Sequence, residues 1–126
     1  KNKGFVMNKL VFGFLFFTIS LFAYEELNID NFESKIKSKN VIIDFYAVWC
    51  PPCKILGENL EDFGTIKPNN VEIYKVNIDN ELPLAKKHGV SKLPTLLYFK
   101  DGKLVKETVG VLSPEELLQT TKQTFK

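Results

Sequence analysis

The sequence contains no arginine, and among its 126 residues it has only two cysteines, one histidine and one tryptophan. Its 17 basic residues are all lysines, and 15 acidic residues nearly balance them. Three of the lysines fall within residues 1–23, where there is no acidic residue, so the rest of the chain carries a net charge of −1. Because nucleic-acid binding normally requires clustered basic charge, the composition argues against a nucleic-acid partner.

The scarcity of cysteine and histidine also argues against a metal or haem site. Two cysteines and one distant histidine cannot supply the four ligands of a zinc cage. Attachment of haem requires a histidine directly after the second cysteine, where Lys54 stands. A disulfide between Cys50 and Cys53 would close so short a loop that it stabilises the fold by only roughly 2 kcal/mol. We therefore expect no metal and no cofactor, and a chemical rather than a structural role for the two cysteines.

One long apolar run is present, at residues 10–24. It contains no charge, follows Lys9 and precedes Glu25, which is the layout of a signal peptide. As a helix it would rise about 22 Å, less than the ~30 Å hydrocarbon core of a bilayer. We predict that residues 1–23 are a signal peptide or, alternatively, a membrane anchor, and that residues 24–126 form one domain located in a bacterial periplasm. A third interpretation is a buried core helix.

The rest of the chain alternates strand-like and helix-like segments, which predicts an α/β sheet covered by helices. Val41–Tyr46 reads VIIDFY, a pattern typical of a strand buried on both faces, and Asp44 is its single acid. Asp101-Gly102 indicates a tight hairpin, and Ser113 opens a capping box. The other predicted strands are 71–76, 95–100 and 103–109. A helix capped by Asp30 is predicted at 30–38, and a second helix is predicted at 54–65, with an apolar stripe of Ile55, Leu56, Leu60 and Phe63. A third helix is predicted at 84–88, ended by Gly89, and a last one after Ser113.

Cys50-Pro51-Pro52-Cys53 stands where the buried strand gives way to a helix. At a helix start, free amide groups and the positive end of the helix dipole stabilise a thiolate, which would make Cys50 a nucleophile. Cys53, one turn further along, could then resolve a mixed disulfide by attacking the Cys50 sulfur. The two prolines fit first-turn positions and stiffen the loop. The motif predicts thiol–disulfide exchange.

In these residues the sequence resembles the thioredoxin family. The matching segments are DFYAVWCPPCK at 44–54, VNID at 76–79, Val90 with Leu93-Pro94-Thr95, and Val109-Gly110. The resemblance implies a thioredoxin fold, with a central mixed β-sheet flanked by helices, from about Glu25 to the C-terminus. It also implies a protein-disulfide oxidoreductase that acts on the disulfides or thiols of substrate proteins, and we expect a monomer.

The resemblance further implies roles for individual residues. Cys50 would be the nucleophile and Cys53 the resolving thiol. Asp44, its pKa raised by burial, would serve Cys53 as proton acceptor with Lys75 nearby; the alternative is a strand-end carboxylate that reaches solvent. Pro94 would be the family's cis-proline. The expected substrate-binding residues are Trp49, Pro51, Pro52, Val90, Leu93, Pro94 and Gly110. Trp49 could instead be a core residue, and His88 is interpreted as a polar or positive group near a helix end.

The direction of electron flow depends on the redox potential of the cysteine pair. Pro51-Pro52 replaces the Gly-Pro of ordinary thioredoxins, at the position where the family adjusts its redox potential. The sequence separation of 41 from Cys53 to Pro94 leaves no room for the helical insert of strong periplasmic oxidants. We therefore expect a reductase that receives electrons from a membrane thiol carrier. The alternatives are a periplasmic disulfide donor or isomerase, and a binding protein that uses the scaffold without turnover.

Overall fold

The computed structural model describes residues 24–37 and 39–126. The predicted signal peptide or anchor and Ser38 lie outside these residues. Five strands are present within them, β1 (Glu25–Glu26), β2 (Asn40–Tyr46), β3 (Val71–Asn77), β4 (Thr95–Lys100) and β5 (Lys103–Val109). The helices are α1 (Phe32–Ile36), α2 (Pro51–Gly64), α3 (Leu82–Lys87) and α4 (Pro114–Thr124).

The strands form one mixed sheet in the order β1-β3-β2-β4-β5. The strands β1, β3 and β2 are parallel, and β4 and β5 continue the sheet in antiparallel pairs. Asp101 and Gly102 have φ values of 52° and 82°, as the predicted tight hairpin between β4 and β5 requires. The predicted mixed sheet flanked by helices is confirmed.

Apolar residues cover both faces of β2, because side chains alternate between the faces of a strand. Val41, Ile43 and Phe45 belong to a core cluster that includes residues of α1 and α3. Ile42 points to the opposite face and packs with Leu56 and other residues of α2 and α4. The alternation places Asp44 on the same face as Ile42, which is the face covered by α2.

The central helix α2 begins at Pro51, three residues before its predicted start at Lys54. Proline is well tolerated in the first turn of a helix because its missing N–H would have no partner there. The buried residues of the helix include Leu56, Leu60 and Phe63 as predicted. The prediction for Ile55 is wrong, since 51% of its surface is exposed. Ile55 stands one position before Leu56 and therefore points away from the buried stripe.

The two predicted helix caps have different outcomes. The Ser113 side chain accepts from the backbone N–H of Glu116, and the Glu116 side chain accepts in return from the Ser113 backbone N–H, which confirms the capping box of α4. The cap assigned to Asp30 is wrong. The Asn28 side-chain oxygen accepts from the backbone N–H groups of Asp30 and Asn31, at 2.8 and 3.0 Å, so Asn28 organises the turn before α1.

His88 follows α3 and packs against the phenylalanines of the first core cluster. Its ring centroid lies 4.7 Å from that of Phe32 and 5.8 Å from that of Phe99. Burial, aided by Lys87, lowers the pKa of His88, and the buried Nε2 has no hydrogen-bond partner in the described part of the chain. The neutral ring is therefore favoured, so of the two options predicted at this helix end the positive group is wrong, while His88 does lie at the end of α3.

We expect the His88→Phe variant to resist mild acid better than the wild type. The folded state lowers the His88 pKa below its ordinary value of 6.5. The stability that the neutral side chain contributes is therefore fully present above pH 6.5. It is lost as the pH falls, because the unfolded chain takes up the proton first. Urea unfolding at several pH values from 7.5 down to 5 measures the free energy of unfolding of both proteins. The value for the variant minus that for the wild type should increase as the pH falls. Lys86→Gln, which changes an exposed residue of the same helix, is the control. A difference that stays constant over this range would contradict the prediction.

Candidate active site

Cys50 and Cys53 form a disulfide at the start of α2, where β2 leads into the helix. Cys50 occupies the N-cap position with an extended backbone, and its sulfur accepts from the backbone N–H of Cys53 at 3.2 Å. Both residues are nearly buried, with 6% and 4% of their surfaces exposed. A thiolate formed on Cys50 would thus meet a free amide group and the positive end of the helix dipole, both of which lower a thiol pKa.

Cys50 lines an apolar surface groove of about 400 Å³. The groove brings together the sequence-predicted residues Trp49, Cys50, Pro51, Pro52, Val90 and Leu93, and it adds Ile78 and Ser91. Ile78 and Ser91 were not predicted, although Ile78 stands in the VNID segment that carried part of the resemblance. An extended peptide could lie in this groove beside the disulfide.

Trp49 is 64% exposed, so its alternative interpretation as a core residue is wrong. Its indole Nε1 donates a hydrogen bond to Asp79 Oδ2 at 2.8 Å. That bond orients the exposed ring at the side of the groove. Asp79 was not predicted as a site residue.

The peptide bond between Leu93 and Pro94 is cis, as the resemblance implies. Pro94 itself is buried and does not line the groove, and its carbonyl accepts from the backbone N–H of Gly110 at 2.9 Å. Gly110 has a φ of 101°, a conformation that favours glycine. These two residues thus shape the backbone beside the groove, while Val90 and Leu93 supply side chains to it.

Cys53 lines a second cavity, of about 390 Å³, alongside α2; it is called the polar cavity here because most of its lining residues have polar or ionisable side chains. The polar and ionisable residues around it are Asp44, Tyr46, Cys53, Lys54, Glu58, Glu61 and Lys75. Cys50 does not line this cavity, and Cys53 does not line the groove. The two cysteines of one disulfide therefore line different sites: the groove at Cys50 is mainly apolar, whereas the cavity at Cys53 also contains several ionisable side chains.

Asp44 is 2% exposed, and its Oδ1 has no hydrogen-bond partner within the described residues. Burial raises its pKa to about 7, because the charged carboxylate loses its hydration; Lys75 opposes the rise and Glu26 adds to it. The alternative of a carboxylate that reaches solvent is wrong. A carboxyl group that titrates near neutral pH at the cavity of Cys53 can accept a proton from a thiol.

Lys75 is the neighbour of Asp44 in the sheet register. Its ammonium is 3.7 Å from Glu26 Oε2 and 4.6 Å from the centroid of the Tyr46 ring. Tyr46 donates a hydrogen bond from its hydroxyl to the same oxygen of Glu26. The resemblance implied that Lys75 lies near Asp44, whereas Glu26 and Tyr46 were not predicted as site residues. Their only signal was position, since Tyr46 is two residues after Asp44 and so shares its face of the strand.

The described residues contain no helix long and apolar enough to span a membrane. Within the same part of the chain, no three His, Cys, Asp or Glu residues are grouped so that they could hold a metal ion.

Three comparisons with known proteins agree with this geometry. A family model described as Thioredoxin matches residues 23–123. The thioredoxin of Chlamydia caviae is 42% identical over 97 residues, which cover 77% of this chain and 94% of that protein. The thioredoxin of Alicyclobacillus acidocaldarius is 35% identical over 88 residues, 69% of this chain and 84% of that protein. The oxidised mitochondrial thioredoxin 3 of Saccharomyces cerevisiae has a TM-score of 0.72 and 32% identity, covering 79% of this chain and 94% of the other.

Proposed function

This chain belongs to the thioredoxin family, and on that premise we propose that it reduces disulfides of substrate proteins outside the cytoplasm. It is a protein-disulfide oxidoreductase with a redox-active cysteine pair. Proteins of this family act on substrate proteins that contain disulfides. The proposal adds the direction of electron flow, the compartment and the roles of the individual residues.

The separate surroundings of Cys50 and Cys53 are the observation that carries the mechanism. In the reduced protein, the Cys50 thiolate attacks one sulfur of a substrate disulfide lying in the apolar groove, and the other substrate sulfur leaves as a thiolate. The Cys53 thiol then gives its proton to Asp44 across the polar cavity and attacks the Cys50 sulfur. That step forms the Cys50–Cys53 disulfide and releases the second substrate thiolate. Two electrons pass from the protein to the substrate.

The groove suits the first step because it is apolar and is bordered by the exposed Trp49 ring and the cis-proline loop. An extended peptide lying in the groove would meet mainly apolar side chains beside the Cys50 sulfur. The cavity suits the second step because it joins Cys53 to a carboxyl whose pKa is about 7. Each half-reaction thus has its own chemical surroundings.

Reduction is favoured over disulfide donation by the family members that the chain matches and by the short connection from Cys53 to Pro94. We expect the described domain to have a redox potential nearer −270 mV, as in thioredoxin, than −120 mV, as in a strong oxidant. Equilibration with defined glutathione mixtures, followed by alkylation of free thiols, measures this value. A potential above about −150 mV would instead favour a disulfide donor.

The compartment rests on the uncharged segment at residues 10–24. We propose that residues 1–23 are either removed on export or kept as an anchor, which would leave residues 24–126 as a monomeric domain in a periplasm. In that compartment the domain would need electrons from a membrane thiol carrier, because the surroundings are oxidising. Mass measurement of the N-terminus of protein recovered from the producing cell, together with alkylation trapping of its thiols, tests both points. An intact N-terminus on a protein that fractionates with the cytoplasm would contradict the proposal.

A further inference from the structure

Lys75 stands between two acidic residues in the sheet. Glu26 on β1 and Asp44 on β2 are both its register partners, so the three residues form one row across three parallel strands. Partners in such a row project from the same face of a sheet, here the face covered by α2. The ammonium of Lys75 therefore has a carboxyl group on each side and can approach either.

The ammonium is placed on the Glu26 side of this row. Its one ion pair among the residues that the structure describes is with Glu26 Oε2, at 3.7 Å. Asp44 makes no ion pair there, and its Oδ1 has no hydrogen-bond partner. A buried carboxyl beside a lysine would ordinarily attract the ammonium, so other side chains must hold the Lys75 ammonium near Glu26.

Tyr46 contacts both members of the Lys75–Glu26 pair. Its ring lies under the ammonium, with 4.6 Å between Lys75 Nζ and the ring centroid, a distance at which a cation is attracted to an aromatic face. Its hydroxyl donates to the carboxylate oxygen of Glu26 that pairs with Lys75. One side chain thus fixes the cation and the anion together.

We propose that Glu26 and Tyr46 are positioning residues, which hold the Lys75 ammonium on the β1 side of the row and away from the Asp44 carboxyl. Their effect is to keep Asp44 protonatable near neutral pH, and its use in exchange rests on the function proposed above. Two electrostatic effects act in the same direction. The Glu26 anion disfavours a second negative charge nearby, and the held ammonium is a weaker stabiliser of the Asp44 anion than a free one would be.

Other charged groups face Asp44 from α2, namely Lys54, Glu58 and Glu61, while the β4 neighbour is the apolar Leu96. They remain unchanged in the variants that test the proposal. Glu25 provides a matched control, since it neighbours Glu26 on β1, pairs with Lys35 and has the same exposed side-chain fraction of 49%. It points to the opposite face of the sheet.

The test is a carboxyl NMR titration of Asp44 in the reduced protein at low ionic strength. We expect Glu26→Gln to lower the titration midpoint by about half a pH unit, because Glu26 is half exposed and therefore partly screened. Tyr46→Phe keeps the ring but loses the hydroxyl, and it should shift the midpoint less, in the same direction. Glu25→Gln should leave it unchanged. The double variant of Glu26 and Tyr46 should match Glu26→Gln alone, since both act through one contact.

Equal shifts in Glu26→Gln and Glu25→Gln would overturn the proposal, because a general loss of negative charge would then suffice. Additive shifts in the double variant would also overturn it. The pH profile of mixed-disulfide resolution distinguishes this proposal from the proposed function. If the Asp44 titration moves by half a unit, resolution well below the midpoint should accelerate about threefold. A titration that moves while the rate profile does not would support the positioning role and remove Asp44 from proton transfer.

Discussion

Replacing Cys53 by serine is expected to convert the protein from a catalyst into a trap for its substrates. Cys50 would still attack a substrate disulfide in the apolar groove, since that groove does not include Cys53. The mixed disulfide would then persist, because no thiol remains one turn further along α2 to release it. Turnover in an insulin-reduction assay should fall to the rate of the chemical reductant alone.

The trapped species can be measured directly. Incubation of reduced Cys53→Ser protein with oxidised insulin, followed by acid quenching and mass spectrometry, should show one covalent adduct at Cys50. Cys50→Ser is the control, because it keeps one thiol but places it in the polar cavity, so no adduct should form at a comparable rate. Faster adduct formation through Cys53 than through Cys50 would reverse the assignment of the two roles.

Replacing Asp44 by asparagine is expected to stabilise the protein at alkaline pH and to slow its catalysis. An acid whose folded-state pKa is raised from 3.8 to about 7 binds more protons folded than unfolded within that range. Wild-type stability should therefore fall as the pH rises from about 4 to about 7 and then level off. The variant lacks this loss, and its advantage at pH 8 over pH 4 should reach up to about 4 kcal/mol.

Urea unfolding of both proteins at pH 4 and pH 8 isolates this effect, because any fixed cost of burying the asparagine amide cancels between the two pH values. Asp62→Asn, which changes an exposed carboxyl on the same helix as Cys53, is the control and should show no such difference. A wild-type profile that rises from pH 4 to pH 8 by the same amount as the variant would contradict the buried-carboxyl account.

The catalytic effect of Asp44→Asn should be confined to one half of the reaction. In single-turnover experiments we expect resolution by Cys53 to slow by at least about tenfold, since a positioned base contributes that much or more. The rate of attack by Cys50, which lines the apolar groove, should change little. Equal slowing of both steps would show that Asp44 acts on the whole site rather than on the Cys53 proton.

The elements that the sequence predicted well are those whose residues carry a local physical signal. Val41–Tyr46 is nearly all apolar, so both faces of its strand had to be buried. The Asp101-Gly102 pair and the Ser113 capping box follow from local turn and cap chemistry, and the structure confirms both. Asp30 was wrongly assigned because the turn before α1 is built by Asn28, which hydrophobic periodicity does not reveal. Ile55 was wrongly assigned because an apolar residue one position before the buried stripe was counted as part of it.

The amino-acid sequence alone indicated the chemistry of this protein, because two cysteines separated by two prolines stand at a strand-to-helix junction and too few other ligands are present for a metal or haem site. It also indicated which strand would carry a buried acid. The tertiary structure decided how those groups are separated. The register that aligns Glu26, Lys75 and Asp44, and the placement of the two cysteines toward different cavities, depend on residues far apart in the chain. No local pattern encodes a cross-strand neighbour, since strand pairing is chosen by the packing of the whole sheet.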